Sequence, residues 1–342
     1  MDHRRRAGGR TVAIAAALLS LALGAPGGPA LAEGTIRIAE QFGIGFLPLH
    51  VIRDQRLIEK HAAALGIEAS PTWVKLSGGG SMNDALLAGG IDVGSGGVAP
   101  LLTLWDRTRG SASEVKGVAA LVSMPYHLLS NRPEVRTIAD LGPRDRIALP
   151  ATGISIQSRT LQMASAGIWG KGQFARLDAL QVALPHPEAT TALLSGSTEV
   201  TAHFSSPPFQ YQAVASGKAH KVLSSYEVLG GPATAIMLWA TGRYRSENPK
   251  TYAAFLAALQ EAVAFIDRDK AAAVDTYDRV EKSKLDPALL RRILDDPEIT
   301  FTLTPLQTQK YATFMHEIGS IKAKPAGWQD YFFPEAHASA GS

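Results

Sequence analysis

Short apolar runs alternate with amphipathic stretches from Thr35 to Ala240, a pattern that predicts an α/β protein. Residues 35–39 read Thr-Ile-Arg-Ile-Ala and predict a strand. Further strands are expected at 72–76, 91–93, 115–122, 146–149, 180–184, 200–202, 221–223 and 235–240. Helical periodicity predicts helices at 48–65 (closed by Gly66), 81–88, 99–108, 156–166, 187–195 and near 207–216. Beyond Ala240 the pattern changes to helices only, including 249–268 and 286–294.

The pattern also repeats. Ala85-Leu86-Leu87-Ala88-Gly89-Gly90-Ile91-Asp92-Val93 aligns without a gap with Ala192-Leu193-Leu194-Ser195-Gly196-Ser197-Thr198-Glu199-Val200, and Pro100 and Pro207 keep the same offset. Two related lobes are expected from this. Ligands of open α/β sheets sit beyond the carboxyl ends of the strands. That rule nominates the loops 41–47, 77–81 and 94–99 in the first lobe, and 150–158, 185–187 and 203–206 in the second. Facing one another, they make a cleft.

Charge changes the picture only at the N-terminus. Arg4, Arg5, Arg6 and Arg10 precede residues 12–23, among which only Ser20 is polar, and Ala30-Leu31-Ala32 follows Pro26 and Pro29. This predicts a secretory signal peptide over 1–32, of the ordinary rather than the twin-arginine kind. Its apolar stretch is too short to span a bilayer, which takes about 20 residues. The whole chain has 34 basic and 31 acidic residues and a pI near 9.0, but residues 1–32 hold four Arg and one Asp. The rest is therefore neutral, and its lack of a basic stripe argues against nucleic acid. The chain has no cysteine, which excludes a disulfide framework, thiolate metal sites, a Cys nucleophile and N-terminal lipidation. A soluble periplasmic protein is expected.

The loops carry hydroxyls, glycines and aromatics. Ser77-Gly78-Gly79-Gly80-Ser81 lies between a strand and a helix, where glycines let backbone approach a ligand and helix N–H groups attract anions. Ser77, Gly80 and Ser81 are candidates there, with Ser81 as a plain helix cap the alternative. Gly94-Ser95-Gly96-Gly97-Val98-Ala99 matches a dinucleotide fingerprint, but Glu114 precedes the next strand instead of ending it, so nicotinamide is rejected. Ser95 and Gly96 remain as binders of a polar group. In Thr152-Gly153-Ile154-Ser155-Ile156-Gln157-Ser158 the candidates are Thr152, Ser155 and Gln157, with Ser155 also readable as a cap. His186, His203, Phe204 and Ser205 complete the second lobe, and Gln41 and Phe42 face them from the first. No nucleophile elbow, phosphate loop or paired-histidine zinc motif occurs, so no catalytic residue, metal or cofactor is expected.

Several ordered motifs carry a family resemblance: Thr35-Ile36-Arg37-Ile38-Ala39-Glu40-Gln41, the 77–81 turn and Leu86-Leu87-Ala88-Gly89-Gly90-Ile91-Asp92-Val93-Gly94. Thr137-Ile138-Ala139-Asp140-Leu141 followed by Arg146-Ile147-Ala148-Leu149-Pro150 adds to them. Over roughly 35–239 the chain resembles the periplasmic substrate-binding proteins of ABC importers, in the nitrate/sulfonate/taurine (SsuA/TauA-like) group. The resemblance implies a two-lobed type II periplasmic-binding-protein fold with a cleft and two crossover hinges near 123–126 and 229–232. Lobe I would take 33–124 plus 231–342, with the helical C-terminus, and lobe II 125–230. It further implies a monomer that closes over a small organic anion, a sulfonate or carboxylate with a body that could be aromatic. The anion would pass to the transmembrane subunits of an ABC permease with their ATPase. Gln41, Ser81, Ser95, Ser155 and His203 would be the ligand residues. The absence of cysteine departs from the cysteine-dependent pyrimidine synthases on this fold. An exported enzyme acting on a small heterocycle, and a sensory ligand-binding protein, are the alternatives.

Overall fold

The computed structural model describes residues 33–342, so the expected signal peptide lies outside the described residues. In chain order the strands are β1 (Thr35–Glu40), β2 (Ser70–Lys75), β3 (Val93–Gly96), β4 (Val115–Ser123), β5 (His127–Ser130) and β6 (Ile147–Leu149). Then come β7 (Gln181–Ala183), β8 (Ala202–Ser205), β9 (His220–Ser224), β10 (Thr234–Thr241) and β11 (Thr300–Phe301). They form a six-stranded sheet, β11-β4-β10-β3-β1-β2, and a five-stranded sheet, β7-β6-β8-β5-β9. With helices around both sheets, the fold is the expected two-lobed α/β class.

The repeat in the sequence has a counterpart in topology. In the first sheet β1 runs parallel to β2 and β3, and β10 and β4 continue antiparallel. In the second, β6 runs parallel to β7 and β8, and β5 and β9 continue antiparallel. Thus β2-β1-β3-β10-β4 and β7-β6-β8-β5-β9 are one arrangement used twice. The repeated sequence segments lead into the corresponding strands β3 and β8. The chain crosses from β4 to β5 through residues 124–126 and returns from β9 to β10 through 225–233.

Burial explains where the strands stand. β4 and β10 are buried at nearly every position, as befits inner strands covered on both faces. β2, at the edge, has no buried residue. Trp239 of β10 is fully buried and needs room beside β3. A Cβ at Gly94 would lie 2.6 Å from the Trp239 indole nitrogen, and one at Gly96 would lie 3.3 Å from the ring. Those glycines therefore make space for a tryptophan. They belong to β3, not to the loop expected at 94–99, because Gly94 pairs with Trp239 and Gly96 with Met237.

Other boundaries also moved. The helix expected at 48–65 is two helices, Leu47–Asp54 and Leu57–Ala64. Arg56 breaks it with a left-handed conformation, φ 53°, which no glycine or proline announces. His203, Phe204 and Ser205 lie inside β8 and not in a loop, because β8 is the central strand paired to both β5 and β6. The tail is not helices only, since β11 pairs with the outer edge of β4. No helix among the described residues is long and apolar enough to cross a membrane.

Candidate functional site

The carboxyl ends of β1, β2, β3, β6, β7 and β8 converge on one pocket between the lobes. Gln41 and Phe42 follow β1, Gly79 follows β2, and Gly96 and Gly97 end or follow β3. From the second lobe come Pro150, Ser155, Ile156 and Gln157 after β6, His186 after β7, and Ser206 and Pro207 after β8. Each of the six nominated loops contributes a wall. The cavity between these walls is small, about 30 Å³.

Four helices begin at this pocket: Gly79–Leu87, Val98–Thr108, Ile156–Trp169 and His186–Ser195. The first N–H groups of a helix have no acceptor within it, and its dipole leaves partial positive charge there. Two of the helices belong to each lobe. The pocket lining contains no Lys, Arg, Asp or Glu. The groups that face a ligand directly are therefore backbone dipoles and neutral polar side chains, an arrangement suited to an anion.

The polar side chains are held by partners. Gln41 Nε2 donates to the Ser95 carbonyl (3.1 Å), and Gln41 Oε1 accepts from Gly78 N–H (3.2 Å), so its amide is fixed between β3 and the glycine turn. Ser155 caps its helix, accepting from Ser158 N–H at 3.2 Å, and is 4% exposed. Ser155→Ala is expected to lower the free energy of urea unfolding by about 1 kcal/mol. The same variant should weaken anion binding severalfold in calorimetry, because the cap also orients the first turn.

A histidine pair stands behind Gln157. His186 Nδ1 lies 2.9 Å from His203 Nε2, and Gln157 Nε2 lies 3.4 Å from His186 Nε2. The His186 ring stacks on Phe209, with centroids 5.7 Å apart. Burial pushes the His186 pKa down to about 3, and burial with His186 beside it holds His203 well below the usual imidazole range. Both rings are neutral at pH 7. If Gln157 donates to His186 Nε2, then His186 Nδ1–H donates to His203; a flipped Gln157 amide reverses both tautomers. His186 has neither a serine nor a carboxylate at hydrogen-bond distance among the described residues, so no nucleophile–base pair forms there.

The lobes touch around the pocket rim. Ile44 N–H donates to the Pro207 carbonyl at 3.2 Å. A Cβ at Gly43 would lie 2.9 Å from that carbonyl oxygen, one at Gly78 would lie 2.6 Å from the Pro150 oxygen, and one at Gly97 would lie 2.4 Å from Ile156 Cβ. Glycine lets the two backbones approach this closely.

Of the residues singled out by sequence, Gln41, Phe42, Gly96, Ser155, Gln157 and His186 meet at the pocket. The others lie elsewhere. Ser77, Ser81 and Thr152 are exposed, and Ser81 Oγ donates back to the Ser77 and Gly78 carbonyls. The helix starts at Gly79, so Ser81 sits inside its first turn and does not cap it. Gly80 points into open space. Ser95 is fully buried, donating to the Ala39 carbonyl at 2.5 Å. His203, Phe204 and Ser205 are fully buried within β8, with His203 reaching the pocket only through His186.

Met124, Tyr126 and Ile236 line the pocket without having been singled out. They lie on or beside the crossing segments, with Tyr126 O–H donating to the Ala235 carbonyl at 2.9 Å. The crossovers themselves are the signal that could have found them, since chain joining two lobes passes under the cleft.

No protein-family model matches the chain, and no curated protein matches it. Solved structures do. The alkanesulfonate-binding protein SsuA from Xanthomonas axonopodis pv. citri, bound to MOPS, is 21% identical with a TM-score of 0.66, covering 86% of this chain and 96% of that one. The periplasmic aliphatic sulphonate binding protein SsuA from Escherichia coli is 19% identical with a TM-score of 0.63, covering 88% and 92%. The periplasmic nitrate-binding protein NrtA from Synechocystis PCC 6803 is 16% identical with a TM-score of 0.66, covering 88% and 84%. The chain shares the periplasmic binding protein fold of these structures. All three are binding proteins.

Proposed function

We propose that this chain is the periplasmic substrate-binding component of an ABC importer, and that it captures a small organic anion, a sulfonate or carboxylate, between its lobes. The observation that carries this reading is the convergence of four helix N-termini, two from each lobe, on a pocket without charged side chains. Three or four charge-assisted hydrogen bonds contribute about 1.5–3 kcal/mol each. After desolvation and ordering, that suffices for micromolar affinity, about −8 kcal/mol. A cationic ligand would find no carboxylate to pair with. Phe42, Phe46, Met124 and Ile236 give the lining an apolar side for an organic body. The small free space suits the anionic head, and a larger body requires the lobes to part.

The signal peptide read from the sequence supports export. In the importer reading, the anion favours the closed form, and the closed monomer docks on the permease that its ATPase drives. An exported enzyme on the same fold would need a nucleophile paired with a base in the cleft, whereas the His186 ring is paired with Gln157 and His203 instead. Calorimetry with a short alkanesulfonate, an arylsulfonate, an aromatic carboxylate and the matching amines tests the reading. At least one anion should bind with micromolar affinity and compact the protein in small-angle scattering, while the amines should not bind. Amine binding, or anion binding without compaction, would overturn it.

A further inference from the structure

A buried cluster of ionisable side chains lies behind the pocket, outside the ligand cleft. Glu40 ends β1, Lys75 ends β2, His50 lies in the helix Leu47–Asp54, and Glu281 ends the helix Lys270–Glu281. Glu40 is 2% exposed and His50 is fully buried. His50 Nε2 lies 3.3 Å from Glu40 Oε2 and 3.2 Å from Glu281 Oε1. Neither approach is aligned as a hydrogen bond: Glu40 Oε2 and both His50 ring nitrogens have no hydrogen-bond partner. A buried polar atom without a partner is costly, so such a group needs a physical explanation.

We propose that Glu40, His50 and Glu281 bind a divalent transition-metal ion of the zinc type. One imidazole nitrogen and two carboxylate oxygens form a donor set that zinc accepts, at about 2.0–2.2 Å per bond. Bonds of that length at a tetrahedral angle place neighbouring donors about 3.3–3.5 Å apart. The two nitrogen-to-oxygen separations match that edge closely, and all three donor atoms lie within 4.8 Å of one another. The misaligned imidazole, facing between two carboxylates, fits a shared ion better than a hydrogen bond to either.

Charge points the same way. Lys75 Nζ lies 2.5 Å from Glu281 Oε1 and 3.7 Å from Glu40 Oε1. With His50 neutral, the form in which an imidazole binds a metal, one ammonium against two carboxylates leaves a negative charge for a cation to meet. Three protein donors including a nitrogen do not suit calcium, which takes about 6–8 oxygens. Glu281 and Lys75, at 15% and 30% exposed, give the site a path to solvent. A bound ion would tie the helix ending at Glu281 to β1, whose next residue is the pocket residue Gln41.

Protein stripped with chelator and titrated with Co²⁺, followed by visible absorption and then displaced with Zn²⁺, tests the site. One equivalent should bind with a ligand-field band. Glu281→Gln, a partly exposed change that preserves shape, should weaken binding by more than about 100-fold without altering the far-ultraviolet circular dichroism. Lys75→Met removes the competing ammonium and should tighten Co²⁺ binding by about tenfold or more. Zn²⁺ should raise the melting temperature of the wild type and not that of Glu281→Gln. Absence of a Co²⁺ band in the wild type, or equal affinity in Glu281→Gln, would overturn the site.

Discussion

Gly97→Val is expected to weaken ligand capture about 100-fold while leaving both lobes folded. Gly97 caps the helix Val98–Thr108 with φ −72° and ψ 168°, an extended conformation that valine adopts readily. The obstacle is therefore not the backbone. A Cβ there would lie 2.4 and 2.5 Å from Ile156 Cβ and Cγ2, across the cleft in the other lobe, where carbon atoms prefer about 3.5–4.0 Å. The lobes can escape the clash only by staying apart, since each sheet keeps its own strand order. Overpacking costs about 1–3 kcal/mol. Charged against closure, the upper value weakens binding about 100-fold, and the branched valine should reach it. Calorimetry should show that loss, scattering should show a wider protein with ligand present, and urea unfolding should remain cooperative. Affinity within threefold of wild type would show that contact between the lobes is not needed for capture. Gly80→Ala is the control. Nothing lies within 4 Å of its Cβ position, so affinity should hold and helix stability should rise by about 0.5–1 kcal/mol.

The pocket's position was legible because strand ends follow from hydrophobic periodicity and open α/β sheets bind at those ends. The repeat around Gly89 and Gly196 pointed to two lobes, and the shared order of β2-β1-β3-β10-β4 and β7-β6-β8-β5-β9 is its structural form. Registers were less legible. Shifting β8 from 200–202 to Ala202–Ser205 turns His203, Phe204 and Ser205 from loop into core, because a central strand extends as far as its neighbours pair. Glycine was ambiguous in a similar way. Gly94 read as part of a ligand cradle but makes room for Trp239, Gly96 both lines the pocket and leaves room for that ring, and Gly43, Gly78 and Gly97 let the opposite lobe approach. Tertiary neighbours, not local pattern, decide between those uses. The Glu40, His50 and Glu281 cluster was hidden for the same reason, since a strand, an early helix and a late helix supply it.

Loss of stability below pH 6.5 is the second large expected effect. Burial first, with Lys221 adding to it, pushes the His127 pKa down to about 4, and burial alone takes His186 to about 3. His203 is lowered by burial and by His186. Unfolded histidine titrates near 6.5, so below that pH the unfolded chain binds protons that the folded chain refuses. The free energy of unfolding then falls with falling pH. These three contributions are complete above about pH 6.5 and decline toward about 4 for His127 and about 3 for His186. His50 runs the other way: burial opposes its charge, but Glu281 and Glu40 outweigh burial and raise its pKa, so its contribution changes only above about pH 6.5 and offsets nothing below it. Each histidine changes stability by up to about 1.4 kcal/mol per pH unit. Three such groups give a slope near about 4 kcal/mol per unit below pH 6.5, an upper figure because His127 is partly exposed. Against a usual stability of about 5–15 kcal/mol, the fold should fail within a few units below pH 6.5. Urea unfolding at pH 7, 6 and 5 measures this, and a constant free energy would show that the buried imidazoles are not neutral in the fold. Ligand affinity should stay level over the same range, because no pocket-lining group changes its charge. An affinity rising more than tenfold on acidification would mean that imidazolium, and not the helix N-termini, holds the anion.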